Sequence, residues 1–292
     1  MKCLFAVTFS YLFVVYNSFA SDEIENHPNI KLLPKKCGEI NEDRILSSKP
    51  NYEEFPWMAL ISHQQKSQDG NITFGCSGTL INSRYVLTMG HCARRATIVR
   101  VGEYDLSTTT DCHHDGVDLI CSLPYQDFEI EERLVHPGND ENVYSDDIGL
   151  LRLKEPVDLN KSNVGAICLP ITTDTRSRDL SKTHGIHVGW QLLRNFSSLI
   201  KSTAAVFSEE DCMKYYRAIH HKEEIQLPFN KLCVRSVSHL ESGTPLIIKS
   251  DLEDYTRYVL YGLISHGYKT EPTAISTDVR KYMKWILDTI KP

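Results

Sequence analysis

No stretch of this chain is apolar for long enough to cross a bilayer as a helix. The longest such run, from about Leu4 to Tyr16, falls short of the ~20 residues that a spanning segment needs. Positive charge is not in excess either. Lys and Arg number 32 against 38 Asp and Glu, a formal net charge of −6, so no global basic field exists to hold nucleic acid or an anionic membrane. There is no C-x-x-C pair, and the His-His doublets at His113 and His220 lack a second ligand cluster at a fixed spacing. That argues against zinc, and no metal or cofactor is expected. The 15 glycines follow no G-x-y period, which excludes collagen, and no internal repeat or low-complexity tract is visible. With 41% apolar and 24% charged residues over 292 positions, a largely disordered chain is excluded, and one large domain or two small ones would fit.

What is present starts with Lys2, the apolar run and Ser18-Phe19-Ala20. A short positive region, an apolar core and small residues at a cleavage point read as a secretion signal removed after Ala20. The nine cysteines are odd in number, but Cys3 leaves with the signal and eight remain. An even count in an oxidising compartment implies disulfides, although on the order of a hundred pairings are open from the count alone. Sequons at Asn71-Ile72-Thr73, Asn160-Lys161-Ser162 and Asn195-Phe196-Ser197 are compatible with surface glycosylation.

Residues 21–36 are polar and punctuated by His27-Pro28 and Leu33-Pro34; they read as a leader too short to fold alone, tethered through Cys37. From Phe55 onward the pattern is short apolar runs separated by turn signals. Trp57–His63, Gly78–Ile81, Tyr85–Thr88, Thr97–Tyr104, Phe128–His136 and Ile148–Leu153 are all strand-length, and several alternate apolar with polar residues. Many brief strands without intervening helical periods suggest an all-β sandwich or barrel. The end differs: Val279, Tyr282, Trp285, Ile286 and Ile290 recur at three- and four-residue steps, the mark of an amphipathic C-terminal helix.

Three residues could carry chemistry, and each alone has a plainer reading. His91 ends the apolar run Tyr85–Gly90 and precedes Cys92; a lone histidine after a strand is more often structural than a base. Asp147 opens Ile148-Gly149-Leu150-Leu151, where a partly buried carboxylate needs a donor, which a neutral imidazole N–H can supply. Ser242 lies between Glu241 and Gly243-Thr244-Pro245, an ordinary turn setting unless a base and oxyanion donors lie nearby.

Taken in order and context, the segments resemble the chymotrypsin/trypsin family of serine endopeptidases, and within it the secreted arthropod clotting-type proteases and their inactive homologues. The matching phrases are Phe55-Pro56-Trp57-Met58-Ala59, Gly75-Cys76-Ser77-Gly78-Thr79-Leu80-Ile81, Tyr85-Val86-Leu87-Thr88 leading to His91-Cys92, and Gly102-Glu103-Tyr104-Asp105-Leu106-Ser107. They continue with Asp147-Ile148-Gly149-Leu150-Leu151-Arg152-Leu153, Ile167-Cys168-Leu169-Pro170, Val188-Gly189-Trp190 and Tyr282–Ile286. The resemblance runs from Cys37 to the end and keeps the order His, Asp, Ser. It implies an all-β fold, two six-stranded antiparallel β-barrels with a C-terminal helix and the active site between the barrels. It implies His91 as general base, Asp147 as the group orienting its imidazole, and Ser242 as nucleophile. It also implies the disulfides Cys37–Cys168, Cys76–Cys92, Cys112–Cys121 and Cys212–Cys233. Activation in such a family is a cut after Arg44, which frees the Ile45 α-ammonium to pair with the carboxylate of Glu241. The expected organisation is a signal over 1–20, a short propeptide over 21–44 without an N-terminal CLIP domain, and the protease domain over 45–292.

The chain departs from that family at defined places. Leu240-Glu241-Ser242-Gly243-Thr244-Pro245 stands where Gly-Asp-Ser-Gly-Gly-Pro is expected. Leu240 replaces the glycine whose amide, with that of Ser242, faces the oxyanion; losing one such donor costs about 10²–10³ in rate. Glu241 adds a methylene to the carboxylate that receives the new N-terminus, and Ser47 and Ser48 replace glycines on the partner side. Two family disulfides are missing, with Ser238 at one position and Gly185 and Ile248 at the other pair. By the same resemblance Ser236 takes the floor of the specificity pocket, Ala274 replaces a wall glycine and His266 replaces a tryptophan in Ser265-His266-Gly267, so small or apolar side chains are expected over Arg or Lys. The expected function is therefore a secreted endopeptidase made as a zymogen with impaired activity, the alternative being a non-catalytic homologue that binds or regulates. Expected partners are a protein substrate or partner protease and an upstream activating protease, with neither nucleic acid nor membrane, and a monomeric state.

Overall fold

The computed structural model describes residues 23–39, 53–64, 72–115, 117–140, 145–181, 183–192, 197–220, 230–236, 240–252, 255–267 and 273–292. The apolar runs of its first half become β1 (Met58–Ser62), β2 (Phe74–Leu80), β3 (Tyr85–Thr88), β4 (Ile98–Val101), β5 (Cys112–Asp115), β6 (Asp118–Cys121), β7 (Gln126–Val135) and β8 (Gly149–Leu153). Six of these close into a barrel in the order β1-β2-β3-β8-β7-β4, while β5 and β6 form a separate two-stranded sheet. Every pairing is antiparallel, with Met58 opposite Thr79, Tyr85 opposite Arg152 and Val101 opposite Gln126. In β7 the alternation is physical: Asp127, Glu129 and Glu131 face water while Phe128 and Ile130 pack on the core, as a two-residue period requires when one face is buried.

The second half repeats the solution. Strands β9 (His184–Gly189), β10 (Ile200–Val206), β11 (Lys231–Ser236), β12 (Pro245–Leu252), β13 (Tyr255–Gly267) and β14 (Thr273–Asp278) close in the order β10-β11-β14-β13-β12-β9. The fold is thus the expected pair of six-stranded antiparallel barrels. One apolar cluster joins them, with Trp57, Leu60 and Leu87 of the first meeting Val188, Ile247 and Leu263 of the second. A 3-10 turn at Val279–Tyr282 leads into the C-terminal helix Met283–Thr289, whose buried Met283, Ile286 and Leu287 face that cluster.

Two features go beyond the sequence pattern. The twelve-residue helix Glu209–His220 has a Ser208-x-x-Asp211 cap: the Asp211 N–H donates to Ser208 Oγ at 3.2 Å and that hydroxyl donates to Asp211 Oδ2 at 2.8 Å. This satisfies an otherwise unpaired donor at the helix start, and Cys212 anchors the helix to β11 through Cys233. The segment before Cys37 also does more than hang from its bridge to Cys168. It makes a 3-10 turn at Pro28–Leu32, Asn29 Nδ2 donates to the Leu287 carbonyl at 2.9 Å, and Ile30, Leu32 and Leu33 pack on the core. All four disulfides are present: Cys37–Cys168, Cys76–Cys92, Cys112–Cys121 and Cys212–Cys233.

The β9 residue His187 is fully buried, and among the described residues neither ring nitrogen has a hydrogen-bond partner. Burial pushes its imidazole down to about 3. Unfolded chains bind that proton near pH 6.5, so between the two values the unfolded state holds a proton that the folded state refuses. Stability is therefore lost as pH falls from about 6.5 toward about 3, and it is independent of this group above. His187→Leu removes the dependence, flattening the slope by up to ~1.4 kcal/mol per pH unit. Urea unfolding at a series of pH values measures it; a slope unchanged by the substitution refutes the assignment.

Candidate active site

Strand β3 delivers the chain into the short helix α1 (Gly90–Arg95) with fully buried Met89 at its N-cap. Gly90 lets this turn approach its neighbour, because a Cβ there would lie 3.1 Å from Asp147 Oδ1. Behind it the Cys76–Cys92 bridge pins α1 to β2. Between β7 and β8 the chain turns through Asp146 at φ +42°, a left-handed conformation costly for a residue with a side chain. Two donors hold it there, Asn230 Nδ2 and the Tyr282 hydroxyl, each 2.8 Å from Asp146 Oδ1.

That turn presents Asp147, which is 1% exposed. Its Oδ1 accepts the His91 backbone N–H at 3.0 Å, and its Oδ2 lies 2.9 Å from His91 Nδ1 and accepts the Ser265 hydroxyl at 2.8 Å. Burial alone would raise this carboxyl. The hydrogen bonds of His91, its positive charge whenever the ring is protonated, and the Ser265 hydroxyl outweigh it and hold Asp147 below the usual carboxylate range. An ionised carboxylate only accepts, so Nδ1 carries the imidazole proton and Nε2 of the neutral ring keeps its lone pair. The side chain of His91 is 28% exposed, enough to meet a substrate. The geometry fits a general base oriented by a buried acid.

Ser242 stands on the loop before β12. Its carbonyl accepts the Ser77 N–H at 2.9 Å, and the next amide, of Gly243, donates to the Ile264 carbonyl at 2.8 Å. The loop is thereby clamped between β2 of one barrel and β13 of the other. Gly243 has φ +85°, and a Cβ there would fall 1.9 Å from the Ser77 carbonyl oxygen; only glycine fits. The Ser242 hydroxyl donates to the Ser265 carbonyl at 3.1 Å. Among the described residues it makes no bond to His91, whose Nε2 lies 3.4 Å from Cys92 Sγ. His91 and Asp147 are thus bonded to each other, and Ser242 is bonded to their neighbour Ser265.

Glu241 is 3% exposed. Its Oε1 accepts the Trp190 N–H at 3.0 Å and the Ser77 hydroxyl, while Oε2 is buried with no partner among the described residues. The longer side chain fits because residue 189 is glycine, where a Cβ would lie 2.8 Å from Oε1. Leu240 is half-buried, with Cδ2 3.2 Å from the same absent Cβ. Of the pocket positions, Ser236 ends β11 opposite Ala204, Ala274 is buried opposite Val234 and Gly267, and His266 is half-buried with Nδ1 3.4 Å from Ser265 Oγ. Gly185 and Ile248 do face each other: a Cβ on Gly185 would lie 2.9 Å from Ile248 Cγ1, so an isoleucine over a glycine fills the place of the missing bridge. Asn160 is exposed at a turn. Arg44, Ile45, Ser47, Ser48, Asn71, Asn195 and Ser238 lie outside the described residues, as does the Ser236 side chain.

Sequence reasoning passed over Ser77, Ser265, Thr277 and Asn230, each joined to the site by a contact distant in sequence. Ser265 was within reach, since it directly precedes His266. Metal-type donors gather at His63, Cys76 and Cys92, but both sulfurs are spent in the disulfide and are not the thiolates a metal takes.

Two closed barrels with a buried carboxylate, an imidazole and a serine at their seam define the scaffold of a serine endopeptidase. The chain belongs to the trypsin family, whose model matches residues 45–286. It falls with the arthropod clotting-type proteases. It is 33% identical over 289 residues to CLIP domain-containing serine protease B10 of Anopheles gambiae, covering 90% of this chain and 74% of that one. It is likewise 33% identical over 286 residues to Serine protease ea of Drosophila melanogaster, covering 89% and 70%. Among solved structures, the Drosophila Grass clip serine protease of the Toll pathway superposes with a TM-score of 0.77 at 27% identity, covering 94% of this chain and 78% of that one.

Because Gly243 has no room for a side chain, Gly243→Ala should destabilise the protein by at least ~2 kcal/mol. Chemical unfolding measures this; a loss below a few tenths would show that the loop is not clamped against Ser77.

Proposed function

We propose that the protein is a secreted serine endopeptidase made as a zymogen, hydrolysing peptide bonds through an acyl-enzyme on Ser242 with its activity held low on the oxyanion side. The observation that carries this reading is the His91–Asp147 pair, bonded at 2.9 and 3.0 Å with the carboxylate buried. In the first step Ser242 Oγ turns from the Ser265 carbonyl to His91 Nε2, gives up its proton there and attacks the substrate carbonyl. The imidazolium, stabilised by Asp147, then protonates the leaving amine, and water repeats the sequence to release the acid. The N–H groups of Leu240 and Ser242 are the donors for the oxyanion.

Activation is a cut after Arg44 by an upstream protease. In the uncut chain Ile45 has no α-ammonium. The cut makes one, and it supplies a donor to Glu241 Oε2, which has none among the described residues. Glu241 adjoins Ser242, so the new pair acts directly on the loop that bears the nucleophile and the oxyanion amides. A pocket formed by Ser236, His266, Gly267 and Ala274 has no carboxylate and favours small or apolar side chains over Arg or Lys. The substrate is a protein, and the enzyme acts as a monomer.

A second reading, a non-catalytic homologue that binds or regulates a partner protease, is favoured by one observation: the Ser242 hydroxyl is bonded to Ser265 rather than His91. A fluorophosphonate probe separates the two. Protein cut after Arg44 should label, and Ser242→Ala should not. Absence of labelling after verified cleavage selects the binding reading. With the oxyanion argument, Leu240→Gly should raise the labelling rate by ~10²- to 10³-fold; an unchanged rate in an active parent shows that Leu240 does no harm.

A further inference from the structure

Lys231, the first residue of β11, is only 7% exposed. Its Nζ donates to Thr277 Oγ1 at 3.0 Å, and Thr277 Oγ1 donates to the Asp147 backbone carbonyl at 3.1 Å. An ammonium has donors and no acceptor, so it fixes the direction of this relay. The threonine oxygen must accept from Lys231, and its own proton is turned onto the backbone that presents the Asp147 carboxylate. An isolated buried ammonium is costly, as is a buried carboxylate, unless each has the other nearby.

The charged and titratable groups around this relay come from every neighbouring element. Asp146 and Asp147, in the turn between β7 and β8, both favour the ammonium. The Tyr282 hydroxyl and Asn230 bind Asp146. His91 lies at the other end of the Asp147 carboxylate, with His63 near enough to interact with it. Asp278, next to Thr277, is paired with Arg280 at 2.7 Å.

We infer that Lys231 is the buried counter-charge of the Asp146–Asp147 turn and a positioning residue for the His91–Asp147 pair, favouring the ionised acid and fixing its backbone through Thr277. The bearing of this on rate rests on the serine-endopeptidase reading; the coupling between Lys231 and Asp147 does not. Burial brings the Lys231 ammonium down to about 8, against the opposing pull of Asp147 and Asp146. The charge is therefore present at neutral pH and lost as pH rises through about 8.

The test uses the full chain carrying lysine labelled with carbon-13 at Cε, titrated by NMR. One resonance should titrate near pH 8 and be absent from Lys231→Met. In Asp147→Asn its midpoint should fall by about one pH unit, because an attracting charge has gone. A second arm follows fluorophosphonate labelling of protein cut after Arg44 across the same range. The wild-type rate profile should break near pH 8, and the Lys231→Met profile should not. A midpoint unmoved by Asp147→Asn overturns the inference, as does a break near pH 8 that survives in Lys231→Met. The Asp147→Asn arm stands even if Lys231→Met fails to fold. If cut protein never labels, the endopeptidase reading fails, and the NMR midpoint alone decides the coupling.

Discussion

A single buried carboxylate organises the seam between the barrels. Asp147 takes two donors from His91 on α1, a third from Ser265 on β13, and a fourth, through its backbone carbonyl, from Thr277 on β14. The first two come from one barrel and the last two from the other. An ionised group at 1% exposure is tolerable only when such donors replace its water. The requirement to satisfy Asp147 therefore ties the barrels together at this point, beside the apolar cluster that joins them, and fixes the tautomer of His91. The strained Asp146 belongs to the same arrangement, since its left-handed turn aims Asp147 and is held by Asn230 and Tyr282 from the second half of the chain.

The departures from the family phrase are mutually accommodated. The extra methylene of Glu241 and the bulk of Leu240 both lie toward Gly189, the position with space for them. Ser77 performs two tasks at once, its amide holding the Ser242 carbonyl and its hydroxyl holding the Glu241 carboxylate. The loss of a disulfide between positions 185 and 248 leaves no hole, because Ile248 is 2% exposed and packs over Gly185. The core stays close-packed at each of these places.

Local patterns made the strands and the C-terminal helix legible. Two-residue alternation in β7 and the steps from Val279 to Ile290 depend only on neighbours in sequence. His91, Asp147 and Ser242 were legible for the same reason, each lying in its own short phrase. What escaped was nonlocal. Ser77 meets Glu241 across 164 residues, Ser265 meets Asp147 across 118, and Asn29 meets Leu287 across 258; no short window of sequence contains both ends of any of the three. The helix Glu209–His220 was hidden differently. Its Ser208-x-x-Asp211 start and a stripe of Cys212, Tyr215, Tyr216 and Ile219 at helical spacing were both on view, but the charged residues around them kept the segment from standing out among strands.

Ser265 sits where the two halves of the chemistry meet. Its hydroxyl donates to Asp147 and its carbonyl holds the Ser242 hydroxyl, so both side chains are anchored to one residue of β13. Moving Ser242 Oγ onto His91 exchanges one hydrogen bond for another, a difference of about 1 kcal/mol in either direction. That is too little to silence an enzyme. The oxyanion amides are another matter, because each is worth ~3–4 kcal/mol in the transition state. On the serine-endopeptidase reading the backbone of residues 240–242 therefore weighs more than the Ser242 hydrogen bond, with Glu241 Oε1 held by Ser77 and Trp190 and Oε2 without a partner among the described residues.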